Sequence, residues 1–390
     1  MKIYPTYGRR PIESLENIPP RLWAHHEFCF FLHDQIAALM TQYEAAGVHR
    51  LVSDAVARAA ATQGRQGAID VLDVLKKAGL TKATKHMLLS HLILALTSDM
   101  LHFIFEGLRC LERRKFSVAF SLLRKPFKEN MLFLAWLLGD PEDFLNRFER
   151  DNYKSLNGLQ SERRTELLRL AISRLATSSV FDAELIEKIV FSKELAGGLE
   201  PLWQKATHLI TSQGSNLKTG DMSINFIFSD PSSDGLYDAV YDKLPYLMLF
   251  LTQLSLRTFS EASHTNVATT NHLVFTSLCA FECLTDGRVG PVTKSLLRPL
   301  RPQLTCLHCE KQLRITSQTT LAMFFQERVQ CASCGLVTDV PFFWLLSRSN
   351  VHLLPNDVPN AFDAFMQEIA VVGNADEGKE AQAGAPRRNA

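Results

Sequence analysis

Two cysteine pairs, Cys306-Leu-His-Cys309 and Cys331-Ala-Ser-Cys334, constrain this 390-residue chain more than any other feature. A C-x-x-C turn brings two thiolates to one ion, and a second such turn completes a tetrahedral set of four. Gly335 follows the second pair, where a turn of this kind needs a residue free to take φ > 0. The paired spacing argues against four unrelated cysteines. Zinc is the expected metal, and four protein thiolates leave it no open coordination position, so its role is structural and not catalytic. His308 could replace a cysteine as ligand, but with four in place it is expected to point outward.

Between and after the pairs, residues 313–317 alternate, residues 323–330 do so in part, and residues 336–343 offer a third extended run. Over about residues 303–343 the arrangement resembles a zinc ribbon. Ribbons of this kind serve as nucleic-acid contacts, protein-docking knobs or folding staples, and spacing alone does not choose among them. The other cysteines, Cys29, Cys110, Cys279 and Cys283, lie inside apolar helical patterns, where the thiol acts as a small hydrophobe. With zinc-type spacing and no apolar signal segment in the first twenty residues, a reducing cytoplasm is the expected compartment.

The rest of the chain reads as mainly α, a multi-helix bundle followed by the small C-terminal β ribbon. Apolar residues recur at helical spacing from Arg21 to Tyr43, on both arms of a hairpin (His86–Arg109 and Lys115–Leu138), over 161–177, 182–196 and 199–211, and in two strong helices over 236–262 and 268–285. Pro126 lies inside the second hairpin arm and predicts a bend. The expected organisation is an N-terminal arm (1–20), a helical domain (21–290), a proline-marked connector (291–302), the ribbon (303–345), a segment with one short helix (346–372) and a disordered tail (373–390). No apolar run approaches the roughly 20 uninterrupted residues of a membrane span, and the His86–Leu108 helix is read as a core helix because it carries His91 and Asp99. No membrane association is expected, and a homo-oligomer is left open.

Lys+Arg 42 against Asp+Glu 41 gives a net charge of +1, so no global field gathers nucleic acid and any such contact must be local. The local candidate is the run Arg288, Lys294, Arg298 and Arg301, with Arg314 just inside the ribbon. No acidic residue falls between Asp286 and Glu310. Cations entering a ribbon suit phosphate contacts; the plainer alternative is a solvated linker. A second basic group surrounds the hairpin turn. Arg109, Arg113 and Arg114 complement the end of a helix dipole, whereas Arg124 and Glu129 interrupt an apolar helix and are expected to form a buried pair, with a functional site as the alternative.

The segment 119–141, AlaPheSerLeuLeuArgLysProPheLysGluAsnMetLeuPheLeuAlaTrpLeuLeuGlyAspPro, resembles a helix of uncharacterised bacterial proteins related to HEPN domains, over about residues 86–150. Many HEPN domains are metal-independent ribonucleases, some of them toxins or defence effectors. The resemblance implies an arginine that stabilises phosphate charge and a histidine that assists 2′-hydroxyl attack, on one helix with four to six residues between them. Three spacings of this kind occur, Arg21/His26, Arg257/His264 and Arg301/His308. Arg257/His264 has the best helical context, with Thr258 where active members often carry a different polar residue. Absence of GxxxxGK[ST], strand-linked GxGxxG, HExxH and GxSxG disfavours nucleotide hydrolases, Rossmann enzymes, zinc proteases and α/β-hydrolases. The leading expectation is thus a helical interaction protein that engages nucleic acid or a protein partner, and the rival is a ribonuclease using Arg257 and His264.

Overall fold

The computed structural model describes residues 10–62, 71–149, 156, 158–195, 197–212, 218–225, 234–349, 351, 353 and 361–369. The chain is mainly helical, with one small antiparallel sheet near its C-terminal end. It divides into two units: Met1–Ala38, Leu96–Arg257 and Asn266–Pro355 form the first, and Leu39–Ala95, Thr258–Thr265 and Asn356–Ala390 the second.

In the first unit the helix Met131–Gly139 is apolar on every face, and Leu134, Ala135 and Trp136 are fully buried in it. A helix without a polar stripe must be covered all round, and Ser161–Ser173 packs directly on it. Ahead of it, Pro126 has no N–H to donate, and the backbone answers with a π-helical segment, Pro126–Asn130, instead of a simple break. Asn130 ties that segment down by donating to the Leu96 carbonyl and to Asp99, each at 2.9 Å, and Lys125 Nζ reaches Asp99 at 2.7 Å. Burial alone would raise the Asp99 pKa, but the bonds from Lys125 and Asn130 outweigh it and hold the carboxyl below its usual range.

Arg124 and Glu129, expected as a buried pair, stand 3.9 Å apart and both are partly open to water. The enclosed ion pair of this region is Lys128 with Glu200, at 2.7 Å with the glutamate 1% exposed. It joins residues 72 apart in sequence, so no local pattern marks it.

The N-terminal arm is anchored from Arg10 onward; residues 1–9 of it fall outside the described residues. Arg10 Nε lies 2.6 Å from Glu112 Oε1 and Nη2 lies 3.1 Å from Oε2, while Asn17 donates to the Glu112 carbonyl. The same carboxylate meets Arg109 at 3.2 Å and His26 Nε2 at 3.3 Å, and His26 Nδ1 pairs with the Tyr241 hydroxyl. Burial keeps the His26 ring neutral, with its pKa lowered.

The helix Val267–Asp286 is the spine of the C-terminal part of this unit. It packs against Pro291–Leu297, Ser317–Gln326 and Phe342–Ser347. Phe275, Phe324 and Phe342 form the joint, with ring centroids 5.1–5.8 Å apart, and Phe325 stacks on Phe31 at 5.2 Å. Residues 313–317 and 323–326, expected as strands, do not form them. Most of this stretch is the helix Ser317–Gln326, opened by a capping box in which Thr316 and Thr319 satisfy each other's backbone N–H. Thr320, Leu321, Phe324 and Phe325 recur at helical spacing and are all buried. The remaining strand, β1 (Arg328–Gln330), pairs with β2 (Val337–Asp339) in the register Arg328↔Asp339, Val329↔Thr338 and Gln330↔Val337.

In the second unit, the helices Val48–Thr62 and Val71–Lys77 pack together, and residues 361–369 form a further helix. The tail from 373 lies outside the described residues. Glu368 accepts from the backbone N–H groups of Lys82 and Ala83, and Glu261 accepts from that of Ala361, so two helix starts are capped by carboxylates from elsewhere. His86 is a core residue here: its ring stacks on Phe365 at 4.4 Å and its Nε2–H donates to the Ala262 carbonyl at 2.9 Å.

Among the described residues one helix, Thr81–Leu111, is long and apolar enough to cross a membrane by length and composition. Residues on it are engaged with other parts of the chain, Asp99 among them.

Candidate metal centre and basic groove

The four cysteines predicted as ligands converge. Their Sγ atoms all lie within 4.8 Å of one another, with Cys306 to Cys334 at 3.7 Å and Cys309 to Cys331 at 3.8 Å. A tetrahedron with metal–sulfur bonds of about 2.3 Å has edges of about 3.8 Å, so the donor set fits one four-coordinate ion.

Each pair is shaped by the same backbone device. Glu310 N–H donates to Cys306 O at 2.8 Å and Gly335 N–H to Cys331 O at 2.9 Å; Cys306 N–H reaches Lys311 O and Cys331 N–H reaches Leu336 O. The residue four beyond the first cysteine of each pair is left-handed, Glu310 at φ 56° and Gly335 at φ 75°. Glycine adopts that conformation without steric cost and glutamate does not, so the second turn carries the expected glycine and the first pays in strain. The N–H groups of His308 and Ser333 point at Cys306 and Cys331 sulfur, each at 3.4 Å. Backbone N–H groups of Cys334 and Ser333 hold the Cys331 thiol down to about 6. His308 is not a fifth donor; its Nε2–H donates to the Val337 carbonyl at 3.1 Å, and Leu307 N–H donates to Thr338 Oγ1, tying the first turn to β2.

Four of the five predicted cations also come together. Lys294, Arg298, Arg301 and Arg314 line one groove of about 750 Å³, with Val289, Leu297, Leu313 and Ile315 among its other walls. Among the described residues no carboxylate lines it. None of the four cations makes an ion pair among the described residues, and all four are exposed. Arg288 is exposed but does not line the groove.

Lys294 and Arg298 sit at the end of Pro291–Leu297, whose start is fixed by Glu282: its carboxylate accepts from Val292 N–H at 2.8 Å and Thr293 N–H at 2.7 Å. That carboxylate occupies the place a Cβ on Gly290 would take, 2.3 Å from it, which is why the residue before the helix is glycine. Arg314 is delivered by the chain leaving the first cysteine turn, where Leu313 N–H donates to Leu304 O and Thr305 bridges Gln312. Neither the Glu282 cap nor this bridge has a local sequence signal.

In two of the three Arg–His pairs, Arg21/His26 and Arg257/His264, the two residues differ in burial. Arg257 is half-buried on Leu244–Ala262. His264 lies beyond the end of that helix, 73% exposed, with its Nε2 3.6 Å from Asp363 and its ring edge-on to Phe362. Arg21 pairs with Asp238 at 2.8 Å on the surface, while His26 is fully buried with Tyr241 and Glu112. Arg301 lines the groove and His308 binds Val337. Sequence reasoning missed a part-buried histidine contact, His272 with Glu327, the left-handed residue just before β1.

Comparison with protein-family models, with curated proteins and with solved structures found no match to this chain.

Proposed function

We propose that the chain is a nucleic-acid-binding protein whose four-cysteine centre holds a structural zinc ion and whose contact surface is the groove beside it. The observation that supports this best is the gathering of Lys294, Arg298, Arg301 and Arg314 around one concavity that, among the described residues, no carboxylate lines. Paired cations stabilise a fold; a row of unpaired ones serves an anion outside it. Phosphate is the anion for which arginine's planar fork is suited. Zinc is the ion that a closed four-thiolate set most often selects, and it supplies rigidity alone because no ligand position stays open.

The test is binding of labelled oligonucleotides by the zinc-loaded protein and by a variant with all four cations changed to alanine. Loss of binding in the variant is expected; equal binding by both would remove the groove from the account. A ribonuclease reading makes a different demand, that RNA be cut without divalent metal and that Arg257→Ala and His264→Ala each abolish the cut. On the binding reading RNA stays full length.

A protein partner is favoured by one observation, the apolar tips of the cysteine turns. Leu307 is 71% exposed and Leu336 52%, with Val337 beside them. Under that reading Leu307→Ser with Leu336→Ser, and not the loss of the cations, would break the complex.

A further inference from the structure

The groove is two surfaces in one. Its rim is cationic and open to water, whereas Leu297 and Leu313 at its base are buried and Val289 and Ile315 are half-exposed. We infer that its ligand is a single-stranded stretch of nucleic acid, with phosphates on the rim cations and bases against the aliphatic floor. This rests on the nucleic-acid reading above and narrows it.

Three ligand shapes can be weighed against that geometry. A bare polyanion would use the rim and leave the apolar floor wet, with nothing gained from it. A duplex offers a convex backbone of phosphates and sugars and keeps its bases stacked inside, so it too leaves the floor unfilled. A single strand carries both chemistries at once. Its bases are free to unstack and lie on apolar or guanidinium planes, and three of the four rim cations are arginines. Lys294 and Arg298 are four residues apart at one helix end, with Cβ atoms roughly 5–6 Å apart, and can meet neighbouring phosphates. The volume of about 750 Å³ lies within the roughly 300–1,000 Å³ of sites that enclose small ligands, room for a few bases and not for a duplex.

The groove also offers little with which to read base identity. Among the described residues its uncharged polar lining is Gln312 and Thr316. Gln312 Nε2 already donates to the Arg301 carbonyl, and Thr316 is committed to its helix cap. Little sequence preference is therefore expected, as for other proteins that hold single strands by backbone and stacking.

The experiment compares a thymidine oligonucleotide of about 15 nucleotides, a mixed-sequence duplex of the same length and inorganic polyphosphate. It uses the full-length zinc-loaded protein, Ile315→Ser and Arg298→Ala, with metal content checked in each. The single strand is expected to bind at least about tenfold more tightly than the duplex, because only it fills the floor. Ile315→Ser should weaken the single strand by about fivefold and leave polyphosphate unchanged; Arg298→Ala should weaken both. Equal binding of all three probes, untouched by Ile315→Ser, would overturn the single-strand inference and leave the nucleic-acid reading standing. Duplex bound more tightly than single strand has the same consequence. Binding of none of the three overturns both.

Discussion

Replacing Arg298 by alanine removes one of the four cations that line the connector groove without touching its floor or the metal centre. A cation that neutralises a phosphate releases a counterion, and for single strands each one contributes about −0.7 to the slope of log affinity against log salt. Four contacts then give a slope of about −2.8, a loss of roughly 50-fold between about 50 and about 200 mM salt. With Arg298 gone the slope falls to about −2.1 and the loss to roughly 18-fold. Fluorescence anisotropy of a labelled oligonucleotide across a salt series reads both numbers directly. Arg288 supplies the control: it belongs to the same basic stretch of sequence, yet it does not line the groove, so Arg288→Ala should keep the native slope. Equal slopes for the native protein and Arg298→Ala, or an equal reduction in Arg288→Ala, would refute the assignment of the contacts to this concavity.

Three further outcomes follow from the packing. Elemental analysis should find one metal per chain in the native protein and none in Cys331→Ser, whose cysteine turns should unfold while most of the far-UV helical signal stays; metal retained at full stoichiometry in the variant would contradict the four-thiolate set. Glu310→Gly should raise stability by about 0.5–1 kcal/mol by relieving a left-handed glutamate, read as slower metal loss to a chelator; no change would mean the turn carries no strain. Glu112→Ala should cost about 3–5 kcal/mol by stranding Arg10 and Arg109 near the buried His26, whereas Arg21→Ala, which breaks only exposed pairs with Asp234 and Asp238, should cost under about 1 kcal/mol in chemical denaturation.

The same cluster fixes a pH dependence. His26 has its pKa lowered by burial, so below its ordinary value of 6.5 the unfolded chain takes up a proton that the folded chain refuses. Glu112 adds to this in more acid solution. Burial works against its charge, but the bonds from His26 and Arg10 outweigh it and hold its pKa below the ordinary 4.5, so the stability it contributes above that value is lost as pH falls through the folded pKa. Denaturation midpoints should therefore drop from pH 7 towards pH 5, and His26→Gln should flatten that part of the curve. A flat native curve would contradict the neutral buried ring.

What was legible in the sequence was the chemistry that is local. Two C-x-x-C turns place their own sulfurs, and the apolar periodicity of Met131–Gly139 or Val267–Asp286 needs no distant information. The helix Ser317–Gln326 was missed because the partial alternation of residues 323–326 is also compatible with a helix. The deciding signal, Thr316 capping with Thr319, lacks the usual Glu or Gln at the third position. Likewise, charge density pointed to the connector but could not exclude Arg288, because which cations share a concavity depends on how Pro291–Leu297 is set against residues 312–316. The Lys128–Glu200 pair and the Glu112 cluster join segments far apart in the chain, and a short window contains neither.

The seating of Phe324 and Phe342 on Phe275 bears on how this chain can change over time. A cysteine-turn segment that is only stapled to its neighbour can be cut out, traded or duplicated as a cassette. Here the metal-bearing segment lends its aromatic residues to the body's interior, so excising it would leave Val267–Asp286 with an uncovered apolar face. Such a region should drift in step with that helix, and transplanting it into another protein should succeed only when the helix travels with it.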